Sequence, residues 1–425
     1  MTKPLLFMSA PVATRSGYGD HSRDLLRSLI AMDKYDIKIL SQRWGDCPLN
    51  ALSEENDQDI ISRIWHNNQM PRKPDVWIQV TVPNEFQPVG EYNIGITAGI
   101  ETTHVSHQWL EGLNRMDLNI VPSEHSKSSI MNSVYDKIDD QSKQKVGELR
   151  CEKPIEVLFE GLDTNIFKKI EDGPKPIVEE LSKIPEQFCF LFVGHWLNGD
   201  FGHDRKDVGG MIKTFLETFK GHSSPKPALL LKSSHATFSI IDREQTLKKI
   251  KQIINGIGGN LPNIYLLHGD LEPEEMNVLY NHPKVKAHLS FTHGEGFGRP
   301  LLEASSTQKP VIASNWSGHI DFLKHSVLLP GQLNNVHKSA AWKNVILKES
   351  KWYYVDHAYA KKVLKSVYKK YKKFLPNAKK QARYTRENFS LDKMTEKFKE
   401  MLISSVPKAP EKVELKLPKL KKVGV

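Results

Sequence analysis

Cysteine is scarce in this 425-residue chain, and the three cysteines, Cys47, Cys151 and Cys189, form no CxxC pair. This excludes a disulfide framework and a cysteine-built zinc site, and we expect a reducing, cytoplasmic location. Long apolar runs are also missing, since no stretch approaches the roughly 18 consecutive apolar residues that a membrane-spanning helix needs. The apolar stretch Pro4–Ala13 runs into polar residues, which predicts a strand and a loop rather than a signal sequence.

Positive charge is concentrated towards the C-terminus. The net charge is +10, yet residues 361–425 contain 20 Lys and Arg against 6 Asp and Glu, so the rest of the chain is nearly neutral. Within Lys361–Phe374, lysines alternate with apolar residues at helical spacing, which predicts an amphipathic helix with a basic outer face. Three explanations stay open: a solvated helix, a contact with the phosphate backbone of a nucleic acid, or attraction to an anionic membrane or glycan.

Short apolar runs alternate with helix-like segments through both halves of the chain. The predicted strands are Leu5–Met8, Ile37–Leu40, Val76–Val80, Ile94–Thr97, Asn119–Val121, Phe188–Val193, Ala228–Leu231, Ile264–Leu267, Ala287–Phe291 and Pro310–Ala313. The alternation predicts an α/β protein with two doubly wound, Rossmann-like domains and a ligand cleft between them. Between the halves, the charged stretch Asp136–Glu152 has a helix-like pattern.

The glycine-rich stretch Phe291–Ala304 carries the clearest functional pattern. It leaves a predicted strand, passes through three glycines and starts a helix with Pro300 in its first turn. Glycines let the backbone approach a ligand closely, and free N–H groups at a helix start favour a phosphate. Glu295 and Glu303, separated by seven residues, could address different parts of one ligand. A tight turn without a ligand would show the same glycine pattern.

This stretch resembles the two-glutamate signature of retaining glycosyltransferases with the GT-B fold, particularly family 4 (glycosyl transferases group 1). Lys309–Phe322 resembles the strand and glycine turn that follow it in that family. Three other segments are similar in the same order: the glycine loop Ser16–Gly19, the start of the second domain Val157–Phe167, and the closing segment Tyr384–Ser390. The resemblance covers residues 4–402 and is stronger in the second half.

The resemblance implies a domain plan. Residues 1–168 form a Rossmann-like acceptor-side domain, 169–376 a Rossmann-like nucleotide-sugar-binding domain, 377–405 a helix that crosses back to the first domain, and 406–425 a basic flexible tail. The implied activity is metal-independent, retaining transfer of a hexosyl or pentosyl group from a nucleotide-diphosphate sugar, with no tightly bound cofactor. The acceptor hydroxyl stays open among a glycan, a lipid-linked sugar, a protein and a hydroxymethylated DNA base.

The resemblance also implies roles for individual residues. Glu295 and His104 are the expected catalytic residues, and Glu303 is expected to bind the nucleoside ribose. The residues expected at the donor diphosphate are Lys206, Arg205, Lys232, Gly17, Gly19, Phe297, Gly298 and Arg299. The chain departs from the family at His195, where an arginine is expected, so Arg205 or Lys232 is expected to replace that arginine.

Other polar residues near the predicted cleft have competing interpretations. Glu101 is an alternative acceptor-side group to His104, and Ser123 matches a family serine whose usual role is structural. Asp57 and Asp59 have the spacing of a metal-binding acidic pair but lie in a polar, helix-like run instead of at a strand end, so no metal site is predicted. Two other functions stay open: a nucleotide-sugar epimerase of the same fold, and a catalytically silent partner of nucleic acid or of an assembly.

Overall fold

The computed structural model describes residues 3–407 except 140, 172, 174, 224 and 236. Two six-stranded parallel sheets, one in each half of the chain, form the framework. The elements of the first half are β1 (Leu5–Ala10), α1 (Gly17–Met32), β2 (Asp36–Ser41), α2 (Gln58–Ile61), β3 (Val76–Val80), β4 (Tyr92–Ile96), α3 (His107–Asn114), β5 (Leu118–Val121), α4 (Glu124–Met131), β6 (Tyr135–Ile138), β7 (Lys145–Leu149) and β8 (Ile155–Val157).

The second half repeats the alternation and ends in three helices. Its elements are α5 (Lys175–Ser182), β9 (Cys189–Val193), α6 (Val208–Phe219), β10 (Ala228–Lys232), α7 (Ile240–Ile257), β11 (Ile264–Leu267), α8 (Pro273–Asn281), β12 (Val285–Ser290), α9 (Arg299–Ser305), β13 (Val311–Ser314), β14 (Val327–Leu329), β15 (Gly331–Asn335), β16 (Lys351–Val355), α10 (His357–Lys369), α11 (Leu375–Asn388) and α12 (Leu391–Ser405). Short 3₁₀ helices cover Pro83–Glu85, Gly318–Asp321 and Tyr371–Lys373.

The strand order of each sheet shows where its direction of progression reverses. The first sheet runs β2-β1-β3-β4-β5-β8, and the second runs β11-β10-β9-β12-β13-β14. In the second sheet the order reverses between β9 and β12, which pair in parallel. The predicted α/β architecture is confirmed, and each of the ten predicted strands lies on an observed one with its ends shifted by at most two residues. Apolar runs located the strands because both faces of each sheet are covered.

The end of the chain returns to the first domain. Met394 and Phe398 of α12 are fully buried in a cluster with Leu6 and Leu25, and the N–H of Leu391 donates to the carbonyl of Leu162 at 2.8 Å. The preceding helix, α11, packs instead on the second domain through α9. The predicted crossing back is therefore confirmed, and α12 carries it. No helix in the described part of the chain is both long and apolar enough to cross a membrane.

Two local predictions need correction. Asp136–Glu152 is not helical: β6 and β7 pair as an antiparallel hairpin with Tyr135 opposite Leu149. The stretch has no apolar face for a helix to bury, and pairing of the two strands satisfies the backbone instead. The basic helix is confirmed over α10, but it ends at Lys369 and a 3₁₀ turn continues the chain. Most of the predicted basic tail, residues 408–425, lies outside the described residues.

Candidate active site

The candidate site lies where the strand order of the second sheet reverses. Open α/β sheets bind ligands at the carboxyl ends of the strands that flank such a point. The loop after β9 carries Arg205 and Lys206, and the loop after β12 carries Glu295. The two loops are joined by a hydrogen bond from the N–H of His293 to the carbonyl of Arg205 at 2.8 Å. The topology thus brings together residues that are 89 positions apart.

Glu295 is held between two cations. Its Oε1 accepts a hydrogen bond from Nζ of Lys206 at 2.6 Å, and its Oε2 accepts one from Nη1 of Arg205 at 3.0 Å. Only 5% of the residue is exposed. Burial by itself raises the pKa of the carboxyl, but the charges of Lys206 and Arg205 outweigh burial and hold the pKa of Glu295 at about 2. Glu295 is therefore ionised at neutral pH.

The backbone of Glu295 is fixed by the turn that follows β13. Its N–H donates to Oγ of Ser317 at 2.9 Å, and its carbonyl accepts from the N–H of Gly318 at 3.0 Å. Ser317 has a φ of +79°, in the left-handed region that costs a non-glycine residue free energy. The sequence pattern did not single out Ser317, because its role depends on two strands lying side by side.

His195 occupies the position of the expected arginine, beside other cations. Burial and the neighbouring charges of Lys206, Arg205 and Lys232 lower the pKa of His195 to about 4, so its ring is neutral at pH 7. Its Nδ1 lies 3.2 Å from Oγ of Ser234. Lys232 donates from Nζ to the carbonyl of Gly269 at 2.6 Å. Arg205 is thus the guanidinium that lies beside Lys206.

The first domain closes over the loop of Glu295. Oγ of Ser123 donates to the carbonyl of Gly296 at 2.6 Å, and Ser123 also caps α4 through the N–H of Ser126. A Cβ at Gly296 would overlap the carbonyl oxygen of Ala98, so glycine is required for this approach. Glu101 lies with its Oε1 3.7 Å from Nε of Arg205, and burial raises the pKa of Glu101. Glu101 therefore belongs to the charged cluster.

His104, the expected catalytic histidine, has a local hydrogen-bond partner. It is exposed, and its Nδ1 lies 2.8 Å from the hydroxyl of Thr103. Within the described residues, no hydrogen bond or ion pair joins it to Glu295. Glu101, three residues earlier in the same loop, is the residue that the fold brings to the charged cluster.

Glu303 has surroundings of its own on α9. Its Oε2 accepts a hydrogen bond from the hydroxyl of Tyr280 at 2.9 Å, and its Oε1 lies 3.4 Å from Nε of Arg299. Burial raises the pKa of Glu303 to about 7, although Arg299 acts in the opposite direction. Nη1 of Arg299 in turn donates to Oδ2 of Asp24 on α1 at 2.7 Å. The two glutamates of the motif thus lie in different electrostatic environments.

The remaining expected residues shape the loops around the cleft. Gly17 and Gly19 open α1, where the N–H of Gly19 donates to Oγ of Ser16 at 3.0 Å. Gly298 precedes α9 with a φ of +101°, a conformation that favours glycine. Phe297 is a core residue with 2% exposure, and its ring packs 5.1 Å from that of Phe322. The glycines set the shape of the backbone, and the ring of Phe297 packs in the core of the second domain.

Comparisons with known proteins bear on the fold and on the second half of the chain. Residues 227–351 match the family model described as "Glycosyl transferases group 1". No curated protein sequence matches the chain. A glycosyltransferase from Rickettsia africae superposes with a TM-score of 0.62 and 14% identity, covering 96% of this chain and 100% of that one. Sucrose-phosphate synthase from Thermosynechococcus elongatus gives a TM-score of 0.60 and 12% identity, with 95% and 98% covered.

A third structure, Anabaena HepE in complex with UDP-glucose, gives a TM-score of 0.56 and 12% identity, covering 94% of this chain and 100% of that one. The chain has the GT-B glycosyltransferase fold. The family match contains Lys232 and both motif glutamates, and it supports a glycosyltransferase. Arg205 and Lys206 lie outside the matched residues and are assigned to the GT-B cleft by their contacts alone.

Two residues that contact Arg299 and Glu303 had no signal in the sequence. Asp24 binds Arg299 across 275 positions, and Tyr280 binds Glu303 across 23. The acidic pair Asp57 and Asp59 instead forms ion pairs with Arg27, at 2.5 and 3.3 Å. Among the residues that the structure describes, no group of three or more His, Cys, Asp or Glu side chains is placed to hold a metal ion.

Proposed function

We propose that this protein is a retaining glycosyltransferase that moves a sugar from a nucleotide-diphosphate donor to an acceptor hydroxyl. The observation that carries the proposal is the buried Glu295 held by Lys206 and Arg205 at the point where the strand order reverses. An ionised carboxylate between two cations places charges of both signs at the expected ligand cleft. Glu101 adds a carboxylate from the facing domain.

The donor diphosphate is assigned to the cations of the second domain. The charges of Lys206, Arg205 and Lys232 all lower the pKa of His195, so the three cations lie close to that side chain. A leaving nucleoside diphosphate develops negative charge, and preorganised cations in a buried site stabilise it. Glu295 already holds Lys206 and Arg205 in the cleft through two ion pairs. The two cations are therefore preorganised to bind the phosphates.

The two glutamates take different parts of the donor. Glu295 is assigned to the transferred sugar, whose hydroxyls a carboxylate can orient by accepting hydrogen bonds. Glu303 is assigned to the nucleoside ribose. Glu101 and His104 are assigned to the acceptor side, and of the two it is Glu101 that contacts the charged cluster. In the retaining reaction that we propose, the acceptor attacks from the face that the phosphate leaves, and the phosphate takes the proton.

Thermal-shift binding against UDP-, GDP-, ADP- and dTDP-sugars, without added metal and followed by donor hydrolysis, tests this proposal. One nucleotide sugar is expected to raise the Tm of the protein selectively and to be hydrolysed slowly. NMR of the released sugar is expected to show that its anomeric configuration is retained. A product of inverted configuration would contradict the retaining mechanism. Conversion of the donor to its epimer would show that the protein is an epimerase and not a transferase. If well-folded protein responds to none of them, the donor site is absent.

A further inference from the structure

The segment 357–386, which covers α10, the 3₁₀ turn and most of α11, is called here the basic segment. It contains 11 Lys and Arg and no Asp or Glu. Lys361 pairs with Glu217 at 2.6 Å, and Arg386 donates to the carbonyl of Ser306. The other nine cations are exposed and form no ion pair with a described residue: Lys362, Lys365, Lys369, Lys370, Lys372, Lys373, Lys379, Lys380 and Arg383.

The spacing of these cations causes electrostatic repulsion in the isolated protein. Lys362, Lys365 and Lys369 follow one another at intervals of three and four, so they share a face of α10. Like charges at this spacing destabilise a helix by mutual repulsion. Only Lys369 lies in the last turn, where the helix dipole favours a cation. A negatively charged partner would turn this repulsion into attraction.

The density of charge matches a phosphate backbone. Residues 362–373 carry six of the nine cations, and at about 1.5 Å per helical residue they lie within roughly 17 Å of one another along the chain. Duplex DNA carries one negative charge for about every 1.7 Å of its axis. Each exposed lysine can therefore meet a separate phosphate and release its counterion.

The apolar side of the basic segment is directed away from solvent. Leu364 and Val367 are fully buried, and Tyr368, Tyr371 and Phe374 pack against the core of the second domain. Tyr359 is the one large apolar side chain of the segment that is exposed. Helices that lie in a membrane surface bury an apolar face in the lipid, and this face is already used for packing. The exposed side offers charge alone, which favours a nucleic acid over a bilayer.

His357 at the start of the basic segment contacts Asp207, which follows Lys206, but the end of α10 and the 3₁₀ turn lie away from the candidate active site. Phe188, the residue before β9, packs 5.1 Å from Tyr368 and 5.6 Å from Tyr371. Nζ of Lys286, at the start of β12, lies 5.9 Å from the ring of Tyr371. Arg205 and Glu295 instead follow the carboxyl ends of β9 and β12. A partner on the basic segment would therefore leave the cleft open.

We propose that the basic segment is a binding surface for the phosphate backbone of a nucleic acid, separate from the active-site cleft. The test uses the full chain, a fluorescein-labelled DNA duplex of 20 base pairs and anisotropy titrations at several salt concentrations. The wild-type protein is expected to bind with an affinity that falls steeply as salt rises. The triple variant Lys365→Glu, Lys369→Glu, Lys373→Glu is expected to bind at least 30-fold more weakly and to lose about 3 units of the log–log salt slope.

A second triple variant controls for net charge. Lys248, Lys251 and Lys399 are exposed and unpaired among the described residues, and they lie on α7 and α12. Their change to Glu alters the net charge by the same amount and is expected to weaken DNA binding less than threefold. Equal weakening in both variants, or no weakening in the first, overturns the proposal, as does binding to phosphatidylserine vesicles but not to DNA. Loss of nucleotide-sugar binding in the first variant would contradict the separation from the cleft.

Discussion

Glu295 shows how a buried charge is kept in this protein. Its carboxylate is removed from water, yet Lys206 and Arg205 hold it ionised by contacts of 2.6 and 3.0 Å. Removing one member of such a buried set leaves the others without a partner, which costs more free energy than the set itself contributes. A substitution at Glu295 is therefore expected to lower the stability of the protein as well as to disturb the candidate active site.

The two motif glutamates are expected to respond differently to substitution. Glu295→Gln keeps the shape but removes the charge between Lys206 and Arg205, so we expect kcat to fall at least 100-fold. Glu303→Ala is expected to raise the donor KM about tenfold or more and to change kcat less than threefold. Steady-state kinetics with Glu111→Gln, an exposed glutamate on α3, provides the control. Full activity in either motif variant would refute its assignment.

Glu160, at the junction of the two domains, makes stability depend on pH. Burial raises its pKa to about 8, against the charge of Arg299 and with the help of Asp24 and Asp20. An acid whose pKa is raised by folding stays protonated in the native state while the unfolded chain ionises. The unfolding free energy is therefore expected to fall as pH rises from about 4.5 to about 8.

Glu160→Gln removes this dependence. At pH 9 we expect the variant to be more stable than the wild type by roughly 2–4 kcal/mol, and at pH 4 we expect no difference. Urea unfolding at both pH values measures this. A variant that is equally stable at pH 9 would mean that Glu160 is already solvated.

At the scale of elements, caps decide where helices begin. Ser16 caps α1, where its hydroxyl oxygen accepts from the N–H of Gly19 in the first turn. Asp207 caps α6 from a left-handed conformation with a φ of +46°. Its Oδ1 accepts from the N–H of Gly210 at 3.1 Å, and its Oδ2 lies 3.0 Å from Nε2 of His357. This cap directly follows Lys206 and fixes its backbone.

Asp207→Ala is expected to lower the unfolding free energy by about 1–2 kcal/mol and to weaken donor binding, because both the cap and the left-handed preference are lost. Asp207→Asn retains an acceptor oxygen and tolerates the left-handed region, so it should lose less than half as much. Urea unfolding and donor titration measure both effects. Equal losses in the two variants would show that charge, and not capping, is what Asp207 supplies.

At the scale of the whole molecule, α12 makes the two halves one structure. Phe398 is encoded near the end of the chain but is fully buried in the core of the first domain. Phe398→Ala is expected to lower the unfolding free energy by about 3–5 kcal/mol. Lys399, the next residue, is exposed, so Lys399→Ala should change the unfolding free energy by less than about 0.5 kcal/mol. Urea unfolding distinguishes them. A loss below 1 kcal/mol for Phe398→Ala would mean that α12 docks weakly.

The candidate site could be predicted only in part. The motif gave Glu295 and Glu303, and the resemblance gave Lys206 and Arg205, since these signals lie in short stretches of chain. Asp24 could not be found, because its partner Arg299 is 275 positions away and on the other domain. The role of Ser317 was also hidden, since its hydroxyl meets Glu295 only after β12 and β13 pair.

The sequence by itself determined the strands, the order of the domains and the basic segment, because these depend on apolar periodicity and charge along neighbouring positions. Tertiary structure decided which side chains meet. The parallel pairing of β9 with β12 put two cations on Glu295, and the closure of the first domain brought Glu101 to the cluster while His104 stayed exposed. Such contacts depend on loops that only the crossing of strands and domains brings together, and no local pattern records them.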